Sequence, residues 1–197
     1  MEKIIKTSRG IQTVPLESEH LLKRRIFIEG DITNQTALEL YKQILTLNDE
    51  DSKGCIDLYI NSHGGSISAG LAIIDAIRLS KAPIRTICLS EAFSMAAVIF
   101  ASGTADRLMF DHSRLMLHQP QVNAISGSVS SIYSVYQSMN EYREQINEIL
   151  SKVCKKSIDE INKITAEDHF FNAVQAIKFG LSDGIADFNI LVSEVYS

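Results

Sequence analysis

An α/β fold on a mostly parallel sheet is what the sequence predicts, and three observations predict it. Short apolar runs alternate with amphipathic ones, turns carrying Gly or Ser follow the apolar runs directly, and one long helical pattern stands apart late in the chain. Repeated β-α-β order implies parallel strands joined by right-handed crossovers. In such sheets ligand sites lie beyond the carboxyl ends of the strands.

Taken in order, RRIFIEG (24–30) reads as a strand closed by Gly30. The next run, NQTALELYKQILTLN, places Leu38, Tyr41 and Leu45 on one helical face, with Thr33 or Asn34 as the cap. GCIDLYIN (54–61) is a second strand, and GSISAGLAIIDAIRLS (65–80) a helix with Leu71, Ile74 and Ile77 on one face. IRTICL (84–89), entered through Pro83, is a third strand. SMAAVIFASG (94–103) is a short buried helix stopped by Gly103. DRLMF (106–110) and RLMLHQ (114–119) read as short strands near an edge. From Ser128 to Lys156 runs the longest helical pattern, with Tyr133, Tyr136, Met139, Ile146 and Leu150 as its apolar stripe. A helix of about 25 residues is about 37 Å long, the span of a small domain, so it should project and meet another copy of the chain. SIDEINKIT and NAVQAIKFG are short helices, and GIADFNI is a late strand.

The 197 residues, 45% of them hydrophobic, suffice for one unit with a sizeable core. A net charge of −5 opposes the basic footprint of a nucleic-acid or anionic-membrane binder. Cys55, Cys88 and Cys154 are odd in number and widely spaced, which suits a reducing cytoplasm and indicates neither a disulfide framework nor a zinc site. Residues 1–20 turn polar early and lack the apolar core of a secretory signal. No apolar run reaches the roughly 18 residues that a membrane span requires.

Ser94 raises the chemical question, since in SEAFSMAAVIF an Ala would pack as well. Ala92 and Ala96 stand where a G-x-S-x-G elbow has glycine. A tight strand-to-helix turn there leaves the N–H of Met95 free to face a developing oxyanion. A packed core serine is the plain alternative. His118, ending an apolar strand before Gln119-Pro120, can emerge toward a neighbouring site or simply finish the strand. His20, His112 and His169 lie in polar, turn-like contexts, and His63 differs by preceding Gly64-Gly65. The glycine pair follows a strand and opens a helix, so it offers backbone donors or a plain tight turn. Neither phosphate-loop pattern is present. With 24 Asp and Glu, spacing selects no third member for a serine–histidine site.

Four segments together resemble one family, the proteolytic subunit of Clp protease. They are LYINSHGGSISAGLAIIDAI, SEAFSMAAVIFASG, SRLMLHQP and EDHFFNAVQAIKFGLSDGI, in the family's order from about residue 20 to 187. The resemblance implies a stacked β-α-β spiral of the crotonase and Clp type with a protruding handle helix. Residues 1–20 would be the axial segment, 21–125 and 157–197 the head, and about 128–156 the handle. It further implies a cytoplasmic serine endopeptidase with Ser94 as nucleophile, His118 as general base and Asp168 as the acid orienting it. Gly65 and Met95 N–H groups would form the oxyanion hole. The family stacks two seven-membered rings, receives unfolded chains from a hexameric ATPase that consumes the ATP, and needs no cofactor or metal of its own. A dormant or regulatory ring subunit needing a second, related subunit is the alternative reading, and an acyl-CoA-binding enzyme of the same fold a remote one.

Departures from the family pattern are visible. His63 replaces a proline, Phe93 a small residue, Gln121-Val122-Asn123 a segment with a glycine pair, and Glu167 an arginine tied to ring–ring contacts. Asp57 stands where a second aromatic helps form the ATPase dock, and a charge there is expected to weaken an apolar dock.

Overall fold

The computed structural model describes residues 2–7, 10–122 and 124–187. Strands β1 (Glu2–Thr7) and β2 (Gly10–Pro15) pair antiparallel, and helix α1 (Leu16–Leu22) leads into the main body. Then follow β3 (Arg25–Glu29), α2 (Asn34–Glu50), β4 (Ile56–Ser62), α3 (Ile67–Leu79), β5 (Ile84–Phe93) and α4 (Met95–Ala101). After β6 (Arg107–Met109) and β7 (Arg114–Leu117) come α5 (Val129–Cys154), α6 (Ile158–Thr165), β8 (His169–Asn172), α7 (Ala173–Phe179) and β9 (Gly184–Ile185).

β3, β4 and β5 lie side by side and parallel, as the β-α-β order requires. β5 then serves two partners. Thr86–Cys88 pairs with β6, and Glu91–Phe93 with β7, both parallel. β9 continues beyond β6, while β8 runs antiparallel to β7. The two short strands expected near an edge are therefore interior, because β5 is long enough to fork. The late strand is confined to Gly184–Ile185, and its expected continuation through Phe188-Asn189-Ile190 lies outside the described residues.

Local chemistry explains the helix ends. Thr33 caps α2 in a reciprocal pair with Thr36, and Ser157 caps α6 in a full box with Glu160. Gly180 closes α7 in the left-handed region at φ 97. Gly103 acts differently from the expected left-handed stop. A Cβ there would stand 2.8 Å from Thr86 Oγ1, so the space it leaves is what Thr86 needs.

The core lies between the sheet and the helices. Ile56, Leu58 and Ile60 of β4 and the whole of α4, including Phe100, are buried. On α2 the face turned to the core is Leu40, Ile44 and Leu47, while the face of Leu38, Tyr41 and Leu45 is exposed. Both stripes have helical spacing, and only packing against the sheet distinguishes them. α5 divides in two. Ile146, Ile149 and Leu150 enter the core, whereas Val129, Tyr133 and Tyr136 stand in solvent. Among the described residues no helix is long and apolar enough to cross a membrane.

Candidate active site

Ser94 joins β5 to α4 at φ 54 and ψ −125, a conformation costly for a residue with a Cβ. The surroundings enforce it. Its N–H donates to Met116 O at 2.8 Å, and its carbonyl accepts from Ala97 N at 3.0 Å as α4 begins. Ser94 occupies the N-cap position yet makes no side-chain capping bond. Its Oγ lies instead 2.8 Å from His118 Nε2.

His118 directly follows β7, and Asp168 directly precedes β8. The antiparallel register Leu117↔His169 sets the two opposite each other. Asp168 Oδ1 is 3.1 Å from His118 Nδ1. With Nε2 accepting the serine proton, Nδ1 carries the ring hydrogen and donates it to the carboxylate. Gln119 anchors the chain just beyond, its N–H donating to Thr165 O at 2.7 Å. The His118 side chain is 16% exposed and that of Asp168 54%, so the reacting end is sheltered and the acid faces out.

The glycine pair folds over the same spot. Gly64 and Gly65 have φ of 100 and 149. A Cβ on Gly64 would meet Phe93 O at 2.8 Å, Ser94 Cβ at 2.9 Å and Met95 N at 3.2 Å; one on Gly65 would meet Ile32 O at 2.4 Å. Ile32 fixes the turn from behind, donating its N–H to Gly64 O and accepting from Ser66 N, both at 2.8 Å. Met95 is the first residue of α4, so its N–H has no acceptor within the helix. The turn and the start of α4 thus face each other across Ser94.

Ser94, His118, Gly65 and Met95, together with the Asp168 that the family resemblance implied, fall within this one cluster. Three neighbours were missed. The Gln121 carboxamide lies 3.1 Å from His118 Nδ1 and, turned by half a rotation, offers its oxygen to the same proton. Glu91 meets His63, and Phe170 meets Phe93. Of the remaining histidines, His20 packs edge-on against Phe27 and His169 lies in β8 against Phe171, so neither is a loop residue. Val122 and Glu167 are exposed, and Asn123 lies outside the described residues.

Burial pushes the thiol of Cys88 up to about 12 and that of Cys154 up to about 11. Thiols held so high are almost wholly protonated at neutral pH and make poor nucleophiles.

A family model for Clp protease matches residues 9–189, nearly the whole chain. The chain belongs to the Clp protease family. Within it, the chain is 41% identical over 167 residues to the ATP-dependent Clp protease proteolytic subunit 1 of Rhodopirellula baltica, covering 84% of this chain and 73% of that one. The spiral of parallel strands with flanking helices is the Clp protease fold, and membership makes the chain a protease of the proteolytic-subunit kind.

One departure from the Clp protease pattern looks different in three dimensions. Asp57 does not present a bare charge. Its carboxylate accepts two bonds from Arg85, Nε to Oδ1 at 2.8 Å and Nη2 to Oδ2 at 3.1 Å, with both residues buried. Beside it Phe27 stacks on Tyr59 at 5.1 Å, over Ile87 and next to Leu89, Phe110 and Ala186.

Proposed function

We propose that this chain is a serine endopeptidase, with Ser94, His118 and Asp168 as its triad and the N–H groups of Gly65 and Met95 as its oxyanion hole. The observation that carries the reading is the Ser94 hydroxyl, withheld from its capping role and held 2.8 Å from His118 Nε2.

Ser94 Oγ attacks the carbonyl carbon of a peptide bond while its proton passes to His118 Nε2. The oxyanion of the tetrahedral intermediate is received by the Gly65 and Met95 N–H groups. Collapse breaks the C–N bond, and His118 returns the proton to the leaving amine. A water molecule, giving its proton to the same nitrogen, then hydrolyses the acyl-Ser94 ester and restores the hydroxyl. Asp168 keeps the imidazole in the required tautomer and stabilises its charged form.

The assembly belongs to the same proposal. Copies of the chain stack as two seven-membered rings, the first half of α5 acting as a handle whose exposed Val129, Tyr133 and Tyr136 meet a facing copy. The exposed Leu38, Tyr41, Leu45 and Leu79 along α2 and α3 suit contacts within a ring. A hexameric Clp-type ATPase feeds unfolded polypeptides to the chamber in the cytoplasm. The Phe27–Tyr59 patch serves as its apolar dock, since Arg85 neutralises Asp57. The half-exposed Asp168 side chain favours a second reading, a subunit whose triad is aligned only once a neighbouring or related copy covers it.

A short fluorogenic peptide tests the chemistry. The assembled wild type should release its amine, and Ser94→Ala should lose about 10⁴-fold or more of kcat. Hydrolysis that survives Ser94→Ala would sink the proposal.

A further inference from the structure

The cluster of His63, Glu91, Phe93 and Phe170 takes no part in that mechanism, yet it touches the machinery at two points. His63 directly precedes the Gly64-Gly65 turn, and Phe93 directly precedes Ser94. Their rings stack, with centroids 5.1 Å apart and planes 17° apart. His63 Nε2 lies 2.6 Å from Glu91 Oε2. Phe93 in turn meets Phe170 edge-on at 5.6 Å.

The backbone explains why side chains are needed here. The β4–β5 ladder runs evenly to Ile60↔Cys88, then resumes at Ser62↔Ala92, advancing two residues on one strand and four on the other. Such a bulge interrupts pairing and re-aims side chains. The interruption falls just before His63, at the point where the glycine turn leaves the sheet. Past the resumed pair Ser62↔Ala92, the His63 ring reaches back to β5 with a hydrogen bond to Glu91 and a stack on Phe93. The side chain of His63 is 71% exposed and that of Glu91 40%, so neither does much to fill the core. Their contacts are directed sideways, across the gap between the turn and the nucleophile strand.

We infer that His63 is a positioning residue: stacked on Phe93 and hydrogen-bonded to Glu91, it clamps the Gly64-Gly65 turn over Ser94. The inference rests on the proposed serine mechanism and deepens it. The two departures at His63 and Phe93 are then one device. A proline fixes its own φ and so stiffens a turn by itself, whereas histidine does not, and the ring of Phe93 supplies the missing restraint. Because Gly64 stands in direct contact with Ser94 and Met95, a small shift of the turn moves the Gly65 donor relative to the nucleophile. Rates respond steeply to such misplacement.

The test is the second-order rate at which a fluorophosphonate probe labels the assembled protein, with kcat and KM on a short peptide measured beside it. His63→Ala should slow labelling about tenfold or more and lower kcat with KM nearly unchanged, the signature of a lost transition-state contact. Its melting temperature should stay within about two degrees of wild type, as expected for an exposed side chain. His63→Gln keeps a hydrogen-bond partner for Glu91 and His63→Phe keeps the stack; each should recover part of the rate. Phe93→Ala should cost less in the His63→Ala background than alone, since the two act together. Labelling of His63→Ala at the wild-type rate would overturn the clamp while leaving the serine mechanism standing. A rate loss matched by a large drop in melting temperature would also overturn it, by making the role structural. A wild type that the probe leaves as untouched as Ser94→Ala would overturn the proposed mechanism, and the clamp with it.

Discussion

Serine stands at the N-cap of both α4 and α6, and the two ends differ in what the hydroxyl does. Ser157 sits in extended backbone at φ −67, accepts from Glu160 N at 3.2 Å, and is answered by the Glu160 carboxylate on its own N–H at 3.0 Å. Ser66 and Ser128 cap α3 and α5 in the same sense. Ser94 alone among these is turned into the left-handed region, and its hydroxyl is given to His118. One residue type in one helical position thus serves as a cap at α6 and, on the proposed mechanism, as a nucleophile at α4. What separates them is the backbone. At the elbow Ser94 is held at φ 54 with its N–H bonded to Met116 O, whereas Ser157 stays extended and is free to cap.

The largest effect should come from Ser94→Ala. It removes peptidase activity by about 10⁴-fold or more, yet costs only about 1 kcal/mol of stability, since the bond to His118 is lost but no capping bond is. Ser94→Gly separates the two sides further. It is equally inactive but more stable than Ser94→Ala by about 1 kcal/mol, since glycine adopts φ 54 without strain. Calorimetry beside a peptide assay checks both.

Gly65→Ala comes next. Its Cβ would stand 2.4 Å from Ile32 O, so the turn must move away from its support. A fall of about 10²-fold in kcat is expected, the cost of losing one oxyanion donor, together with a lower melting temperature.

Ser157→Ala is the counterpart at the other cap. It should cost about 1 kcal/mol of stability and leave kcat unchanged, as read by denaturant titration and the same peptide assay. Parallel behaviour of Ser94→Ala and Ser157→Ala in the peptide assay would erase the distinction between the two caps.

The smallest effect concerns acid. Hydrogen bonds from the Arg107 side chain, with a further one from its backbone N–H, hold the Asp183 carboxyl below its usual 3.8. A carboxyl depressed in the folded state adds stability that is fully present above its unfolded value and is lost as pH falls through the folded one. Asp183→Asn should therefore narrow the stability gap between about pH 5 and pH 2 and remove a modest, constant amount at neutral pH, because the pair is partly exposed. Thermal melts across that range decide it.

Much of this was legible in the residues themselves. The β-α-β order and the helix ends at Thr33 and Gly180 follow from local patterns that need no distant partner. Ser94 and His118 showed as candidates because a polar group after an apolar strand is conspicuous. Asp168 did not, since many acids compete and its place beside His118 depends on an antiparallel pairing of residues 50 apart in the chain. β8 itself went unread because His169–Asn172 runs directly into the cap of α7, with no turn residue to set it apart. Which face of α2 enters the core could not be read, because Leu38-Tyr41-Leu45 and Leu40-Ile44-Leu47 repeat equally well along a helix. Glu91 and Phe170 were invisible for a deeper reason. A bulge in β5 and two cross-strand registers set their places, and neither leaves a mark in the local sequence.

On the proposed mechanism the hydroxyl at the start of α4 is a nucleophile and not a cap. That claim is tested most directly by treating the assembled wild type and Ser94→Ala with a fluorophosphonate and mapping the modified peptide by mass. A single adduct on Ser94, absent from a folded Ser94→Ala protein, is the result expected. An adduct on another residue, or none on an assembled wild type, would contradict it.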